Sequence, residues 1–327
     1  MSVISVDPHA TPWTTSQTHT LAFTALAVTA GLLGLAGPQV PAVLTAVGLA
    51  VAVVIVGLPH GGLDHRVGRA LFRSRFGPWW PLPFLTGYLL VGTGVLAGWS
   101  VAPLGTIALF LTLSAAHFGD TESGPRWRAT LFGGLPIWGP LLARPGEAAT
   151  LLGWVTPGGV DVAGPLAMLR PALLAVAGFA AAVWFVGGVA SVRAGDRDGQ
   201  LDALRLAATA GMLAAAPVLV GFAVAFCGWH SLRELGRLAV RAEPLDPALG
   251  FRRVVVAAAP LALVAAGLAA AGAWSASAGR EVGPVVVQAV FLGLSAVAVP
   301  HILLHAVAAR SGADPFAGQD REVAGAL

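Results

Sequence analysis

Residues 41–58, PAVLTAVGLAVAVVIVGL, form an uncharged apolar run of 18 residues. A helix that crosses a bilayer needs about 20 mostly apolar residues, so this run predicts a membrane-spanning helix. The sequence Pro59-His60-Gly61-Gly62 follows at once. Proline and glycine interrupt helices, and an interruption at membrane depth is tolerated only where it faces protein or a wet cavity. The stretch therefore predicts a spanning helix with a polar feature at its end.

The rest of the chain has the same character. Of its 327 residues, 56% are hydrophobic and only 11% are charged, and the mean hydropathy is +0.79. Soluble domains carry about 25% charged residues, so the composition excludes a soluble α/β enzyme and a disordered protein. All basic residues are arginines in short clusters and form no dense basic stripe, which argues against a nucleic-acid partner. The composition therefore predicts a protein that lies within a lipid bilayer.

The apolar runs define an all-α, polytopic transmembrane helix bundle of about eight spans. A further short run, 130–143, holds Pro136 and a glycine pair and is interpreted as a broken or re-entrant segment. We expect a single helical domain over 20–310, with polar tails at 1–19 and 311–327. The predicted spans are 20–36, 41–58, 83–101, 103–118, 165–192, 203–229, 252–274 and 284–307.

Arginine placement predicts the orientation of the bundle. If 130–143 does not cross, the connections with the most arginines fall on one side, which the positive-inside rule assigns to the cytoplasm. Both termini are then cytoplasmic, and the protein is a multi-pass protein of the cell membrane. Residues 1–19 contain no arginine or lysine, so the first apolar run is interpreted as a retained helix and not as a signal peptide.

Six of the eight histidines lie at or near the ends of apolar runs: His60, His65, His117, His230, His301 and His305. The other two, His9 and His19, fall in the polar amino-terminal tail and are given no role. In the eight-span arrangement, the ends that carry the six all point to one face of the membrane. Ionisable groups at membrane depth are costly and mark functional sites. We therefore expect imidazoles from four separate helices to converge.

Carboxylates accompany these histidines. Asp64 and Asp120 follow His60 and His117 within a few residues, where a carboxylate can fix the tautomer of a ligating imidazole. His230 and Glu234 are four residues apart and share a helical face, as do His301 and His305. One histidine at a helix end is commonly an interfacial hydrogen-bonding group, but the whole set favours a metal site.

The donor types limit the metal and the chemistry. A nitrogen-rich site without thiolates suits iron, zinc, copper or nickel, and the only cysteine is Cys227. The sequence has no His-Glu-x-x-His motif, which argues against a zinc intramembrane protease. Three or four histidines with an open coordination position suit a non-haem Fe(II) ion and O₂.

Four motifs in order give the chain a recognisable pattern: PHGGLDH at 59–65, SAAHFGD at 114–120, WHSLRE at 229–234 and PHILLH at 300–305. The pattern resembles the Brp/Blh family of bacterial and archaeal membrane β-carotene 15,15′-dioxygenases over about residues 50–310. The resemblance implies that His60, His117 and His230 bind a non-haem iron. The family commonly has a second histidine in its third motif, where this chain has Glu234. Either Glu234 or one of His301 and His305 is then the fourth ligand.

The resemblance also implies the reaction and the supporting residues. We expect Fe(2+) as the cofactor and O₂ and β-carotene as substrates, with cleavage of the central double bond to two retinals. Asp64, His65, Asp120 and His305 are expected to orient the ligands. Candidates for contact with the polyene are Phe118, Phe222, Phe226 and Trp229, although aromatic residues in such positions more commonly only pack helices together.

Other functions are consistent with parts of the pattern. The Glu234 departure leaves open an iron-dependent membrane oxygenase that acts on a different carotenoid or on a lipid. Paired histidines are also compatible with a non-enzymatic haem or metal protein. A transporter with a histidine relay is disfavoured, because the sequence has no internal repeat. The sequence predicts no oligomeric state.

Overall fold

The computed structural model describes residues 17–37, 40–122, 124–156, 158, 160–243, 246–276 and 279–311, and every regular element among them is helical. This confirms the all-α prediction. The predicted polar tails lie outside the described residues at 1–16 and 312–327. The helices begin at Gln17, inside the stretch 1–19 that was expected to be a tail.

The elements in chain order are α1 (Gln17–Ala36), α2 (Ala42–Ala52), a π-helical segment π1 (Val53–Gly57), α3 (Leu58–Gly61), α4 (Asp64–Phe76), α5 (Pro81–Val101), α6 (Pro103–Phe118), α7 (Arg126–Gly133), α8 (Leu135–Ala143), α9 (Pro145–Val155), α10 (Ala163–Ala194), α11 (Arg197–Ala215), α12 (Val218–Ala223), π2 (Val224–Ser231), α13 (Leu232–Ala242), α14 (Pro247–Ala276) and α15 (Val282–Ser311). Short 3₁₀ turns at Gly77–Trp79 and Gly119–Thr121 complete the described structure.

Seven helical stretches of the described chain are long and apolar enough to cross a membrane. They are Gln17–Ala36, Ala42–Trp79, Pro81–Val101, Ala163–Ala194, Val218–Ala242, Ala248–Gly272 and Val282–Ser311. The apolar helix α6 is shorter, with 16 residues. The surface of α10 exposes large apolar side chains such as Leu169, Phe179 and Phe185, which suits contact with lipid. The protein is therefore a multi-pass membrane protein.

The prediction of one span over 203–229 is wrong. The chain breaks at Ala216, which is extended with φ −78° and ψ 155°, and Pro217 follows. A residue before proline is disfavoured in the helical region, and this ends α11. Helix α11 lies parallel to α1, because Gln17 donates a hydrogen bond to Asp198 at one end and Gly34 meets Ala215 at the other. Val218 starts a separate helix that runs back.

The segment 130–143 is broken, as predicted, but it runs along the bundle instead of turning back. Helix α7 packs against the end of α6, and its last residue, Gly133, meets the backbone of Gly119. Helix α8 ends at the opposite end of the bundle, where the Arg144 guanidinium donates to the carbonyl of Ala215 over 3.1 Å. A turn at Gly134 separates the two helices.

We call the end of the bundle that holds His60, His117, His230 and His301 the histidine end. The central core fills the space between it and the opposite end, with buried side chains from α2, α5, α6, α12 and α15. At the heart of this core, the Trp99 indole N–H donates to the Ser295 hydroxyl over 2.9 Å, and both residues are buried. The bonded pair satisfies a polar group that would otherwise be costly to bury. This core holds the helices that position the histidines.

Candidate metal centre

His60 is presented by an irregular stretch of helix. The π-helical segment π1 precedes it, and α3, which contains His60, ends at Gly61. Single π turns within helices commonly occur at functional sites, because the extra residue changes the direction of the side chains that follow. Pro59 sits in the first turn of α3, where its missing N–H is tolerated. The local sequence thus ends the helix and places the imidazole at the turn.

His230 lies within the second π-helical segment, π2, and only 2% of its surface is exposed. The two segments pack together at Gly57, where a Cβ atom would lie 2.9 Å from the ring of Phe226. A glycine at this position lets the backbone approach the aromatic ring closely. The close approach brings His60 and His230 to the same place, with ring centroids 5.3 Å apart.

His117 ends α6, and His301 lies in α15 directly after Pro300. Each has a carboxylate on its Nδ1 atom. The distance from His117 Nδ1 to Asp120 Oδ2 is 3.2 Å, and that from His301 Nδ1 to Asp64 Oδ1 is 2.7 Å. These contacts leave the Nε2 atom of each ring for other partners.

The four imidazoles converge from α3, α6, π2 and α15. Their ring centroids are 6.4 Å apart for His60 and His117, 5.7 Å for His60 and His301, 4.9 Å for His117 and His230, and 5.1 Å for His117 and His301. Metal–nitrogen bonds of about 2.1 Å put the centroids of imidazoles around one ion roughly 5 Å apart. One nitrogen from each of His60, His117 and His301 lies within 4.8 Å of the other two. The spacing of His60, His117 and His301 fits a single metal ion. His230 is outside this group of closely spaced donors, although its ring centroid lies 4.9 Å from that of His117.

Several nitrogen atoms of this cluster lack a protein partner among the described residues. Neither ring nitrogen of His230 has a hydrogen-bond partner among the described residues, and neither does Nε2 of His117, although all three atoms are buried. Buried polar atoms without partners are rare, because each costs free energy. Imidazole nitrogen is a common ligand of transition metals, so a metal ion fits the donors that are present.

Asp64 connects the cluster to two further residues. It is 4% exposed, and its Oδ1 atom is 3.2 Å from His305 Nε2 as well as 2.7 Å from His301 Nδ1. The Tyr88 hydroxyl is 2.9 Å from Asp64 Oδ2 and 3.0 Å from the carbonyl oxygen of Val297. It therefore links α5 to α4, which contains Asp64, and to α15, which contains Val297. Asp64, His301 and His305 form a second group of closely spaced donors. Sequence reasoning missed Tyr88, whose only distinguishing feature there is that it is the single tyrosine.

The side chains of Glu234 and His65 contact groups outside the cluster of four imidazoles. The Glu234 carboxylate is 3.4 Å from the Arg237 guanidinium, and it belongs to neither group of closely spaced donors found among the described residues. His65 Nδ1 is 3.2 Å from the carbonyl of Gly62. The structure therefore brings His301 to the position beside His60 and His117, and it gives Glu234 an arginine partner.

Three of the expected aromatic residues line one side of the cluster. Phe118 and Phe226 lie 4.7 and 6.0 Å from the ring of His230, and Phe222 stacks on Phe226 at 5.5 Å. Trp229 lies elsewhere, between α1 and α11. There it stacks on His19 at 5.2 Å and packs under the guanidinium of Arg205 at 4.1 Å. His19, which the sequence left without a role, thus contacts the neighbour of His230.

A buried ion pair joins the end of α6 to α11 beside this tryptophan. The Arg205 guanidinium is 2.6 Å from Glu122 and 2.7 Å from Asp202, and its side chain is 3% exposed. The Trp229 indole N–H donates to Glu122 over 2.8 Å. A charged pair at this depth is stable only because all its partners are present. Sequence patterns could not find the pair, since 83 residues separate its members.

Comparison with known proteins gives consistent results. The family model described as "Beta-carotene 15,15'-dioxygenase" matches residues 51–308. The "Probable beta-carotene 15,15'-dioxygenase Blh" of Halobacterium salinarum is 28% identical over 301 residues, covering 81% of this chain and 86% of that protein. The "Beta-carotene 15,15'-dioxygenase" of uncultured marine bacterium 66A03 is 26% identical over 261 residues, covering 77% and 90%. No solved structure matches.

The family match begins within α2 and ends within α15, so it includes all four histidines of the cluster and the carboxylates bonded to them. The four motifs that suggested the family in the sequence are the ones whose side chains meet at the histidine end. The chain belongs to the beta-carotene 15,15′-dioxygenase family.

Proposed function

We propose that this protein cleaves the central 15,15′ double bond of β-carotene with O₂ to give two molecules of retinal. One O₂ supplies both carbonyl oxygens, one to each product, so the reaction balances without a further reductant. The observation that carries the proposal is the convergence of four imidazoles inside a multi-pass bundle of this family, and three of the four have a buried nitrogen without a hydrogen-bond partner among the described residues.

We propose Fe(2+) as the metal, held by His60, His117, His230 and His301. When bound, the iron would supply the one-electron chemistry that O₂ activation requires. We assign Glu234 to an ion pair with Arg237 instead of to the metal, because a nitrogen of His301 is grouped with those of His60 and His117 whereas Glu234 is not. This choice takes His301 from the alternatives that the sequence left open for the fourth ligand.

The other residues hold the ligands in place. Asp64 and Asp120 bond the Nδ1 atoms of His301 and His117, which leaves each Nε2 atom facing the cluster. Carboxylates behind metal-bound histidines fix the tautomer and the ring orientation. Tyr88 and His305 in turn bond Asp64 and fix its position. Phe118 and Phe226 supply an apolar border beside His230, which suits a hydrocarbon substrate.

The bundle provides a route for a substrate without polar groups. β-Carotene dissolves in the interior of the bilayer, so an enzyme within the membrane can receive it from the lipid side. We propose that the protein lies in the cell membrane with both termini in the cytoplasm. All but three of the described arginines, namely Arg144, Arg170 and Arg280, lie at or beyond the histidine end, as the positive-inside rule requires of a cytoplasmic face.

The ring arrangement argues against a haem protein. Neighbouring centroids of the four imidazoles are 4.9 to 6.4 Å apart around one point. A porphyrin between His60 and His117 would need the space that His230 and His301 fill. The cluster therefore favours a bare ion.

The function is tested by expressing the chain in a host that accumulates β-carotene and measuring pigments and retinal. We expect loss of the yellow colour and two retinals for each β-carotene consumed. The variant His230→Ala should abolish retinal formation, while Glu243→Ala, at an ion pair away from the cluster, should not. Retained colour without retinal in the unmodified chain would contradict the proposal. Consumption of another carotenoid would instead indicate a different substrate.

A further inference from the structure

His230 is held in place differently from His117 and His301. Those two rings each have a carboxylate on Nδ1, from Asp120 and Asp64 respectively. Neither ring nitrogen of His230 has a hydrogen-bond partner among the described residues. His230 also lies within π2, and π-helical turns are short, rare interruptions of regular helix. The direction of its side chain therefore depends on how the neighbouring residues anchor π2.

The preceding residue, Trp229, is anchored on its edge and on its faces. Its indole N–H donates to Glu122 Oε1 over 2.8 Å. His19 stacks on the indole at 5.2 Å with the planes 18° apart. The guanidinium groups of Arg205 and Arg233 lie 4.1 and 4.6 Å from the ring. The stacked groups restrict the plane of the indole, and the directional hydrogen bond fixes its rotation within that plane.

Glu122 belongs to the segment of chain that carries His117. Helix α6 ends one residue after His117, and the 3₁₀ turn Gly119–Thr121 follows. The backbone N–H of Glu122 donates to the carbonyl of Gly119 over 2.9 Å and closes this turn. The Glu122 carboxylate also pairs with Arg205 at 2.6 Å, which keeps it in place. One short segment thus holds both a proposed metal ligand and the acceptor for the indole.

We propose, on the basis of the proposed iron site, that Glu122 is a positioning residue that sets the place of His230 relative to His117. It acts through its hydrogen bond to Trp229, which shares a peptide bond with His230. The bond joins π2 to the end of α6 at the point where the two imidazole centroids lie 4.9 Å apart. Without it, the indole can turn and π2 can shift, which moves His230 away from the other rings.

Two variants of Glu122 separate this role from that of the ion pair. Glu122→Gln removes the charge that pairs with Arg205, but it keeps the side-chain length and a carbonyl oxygen that can accept from the indole. Glu122→Asp keeps the charge but withdraws the carboxylate from the indole by one CH₂ group. If Glu122 served only the ion pair, Glu122→Gln would be the more damaging change. The positioning role predicts the opposite order.

Each purified, folded variant is titrated with Fe(II) against a chelator, with no carotenoid present. We expect Glu122→Asp to bind iron at least tenfold more weakly than the unmodified chain, as is typical when the support behind a metal ligand is lost. Glu122→Gln should bind iron within threefold of the unmodified chain. Equal affinities for the two variants, or the weaker affinity in Glu122→Gln, would overturn the proposal.

A pair of tryptophan variants tests the same bond from the donor side. Trp229→Phe removes the indole N–H but leaves a ring for the stacked groups, and it should also weaken iron binding at least tenfold. The matched control is Trp99→Phe, which removes a buried indole N–H that donates to Ser295 over 2.9 Å in the central core. It should keep the iron affinity within threefold.

Co(II) in place of Fe(II) gives a second measurement, because its visible absorption depends on the number and geometry of its ligands. The spectrum should change in Trp229→Phe and stay the same in Trp99→Phe. An unchanged spectrum in Trp229→Phe, or the same change in both variants, would contradict the positioning role.

The iron titration also separates this proposal from the proposed function. If Trp229→Phe and Glu122→Asp bind iron as the unmodified chain does, the positioning role fails and carotene cleavage stands. If the unmodified chain binds iron but makes no retinal, carotene cleavage fails and the positioning role stands. If the unmodified chain binds no iron, both fail.

Discussion

His301 and Glu234 are the two candidates for the fourth ligand of the proposed iron. The structure places a nitrogen of His301 within 4.8 Å of ligand nitrogens from His60 and His117, and it pairs Glu234 with Arg237. We therefore expect His301→Ala to reduce bound iron at least tenfold, because it removes a ligand. Glu234→Ala should keep more than half of the iron. Metal analysis of the two purified variants makes the measurement.

Glu243→Ala is the matched control for that comparison, since Glu243 is also a helix-end glutamate paired with an arginine. It should retain the full iron content. The assignment of His301 fails if Glu234→Ala loses the metal while His301→Ala keeps it.

Asp64 and Asp120 each bond a histidine that we propose as a ligand, but in different surroundings. Asp64 is buried and holds His301, His305 and Tyr88, whereas the Asp120 side chain is 74% exposed. We expect Asp64→Asn to weaken iron binding by about 10 to 100-fold, the range typical for residues behind metal ligands. Asp120→Asn should have a smaller effect. Iron affinity measured by competition with a chelator separates them, and a larger effect from Asp120→Asn would contradict the role given to Asp64.

At the scale of elements, the sequence predicted the helices and the helix ends but not their internal irregularities. Apolar runs and the Pro-Gly signals located His60 and His117 at helix ends. The π turns at Val53–Gly57 and Val224–Ser231 carry no sequence signal, because they form where two helices meet. Likewise, the break at Pro217 was hidden in a continuous apolar run, and only packing against α1 shows that α11 is a separate helix.

The contact between α6 and α7 depends on Gly133. A Cβ atom at this position would fall on the backbone of Gly119 and Phe118, which cannot move as a side chain can. We expect Gly133→Ala to lower the melting temperature of the detergent-purified protein and to reduce retinal formation, since the contact lies next to His117. The measurement is thermal unfolding alongside the retinal assay.

Gly153→Ala provides the comparison, because Gly153 lies within α9 and a Cβ atom there would meet nothing within 4 Å. Alanine is more favourable than glycine in a helix by about 0.5 to 1 kcal/mol. This variant should be as stable as the unmodified protein or slightly more so. Equal destabilisation by both substitutions would show that the Gly133 contact is not responsible.

At the scale of the whole molecule, the histidines meet at one end because the chain runs between the two ends of the bundle an even number of times from one histidine to the next. The sequence predicted two passes between His117 and His230, over 165–192 and 203–229. The structure has four, formed by α7 with α8, then α10, α11 and α12 with π2. Two passes were missed in this interval, so the predicted convergence at one end is unchanged. The charged residues at the start of α11 concealed one of them, and the short, broken helices concealed the other.

The buried pair of Arg205 and Glu122 links those added passes to the histidine end. Their side chains are 3% and 6% exposed. Removing one partner of a buried ion pair costs about 3 to 5 kcal/mol, because the other charge stays buried without compensation. We expect Glu122→Gln to lower the free energy of unfolding by less than this, because Asp202 still pairs with Arg205. Glu243→Gln, at the exposed pair with Arg253, should have little effect, and chemical denaturation in detergent measures both.

The most direct measurement is X-ray absorption at the iron edge of the purified, Fe(II)-loaded protein. Four imidazoles around one ion should give about four nitrogen neighbours at roughly 2.1 Å with the outer-shell scattering of histidine rings. The His301→Ala variant should lose one of them or the metal itself. Absence of bound iron, sulfur neighbours, or the scattering of a porphyrin would contradict the assignment of His60, His117, His230 and His301 as the ligands of a single non-haem iron.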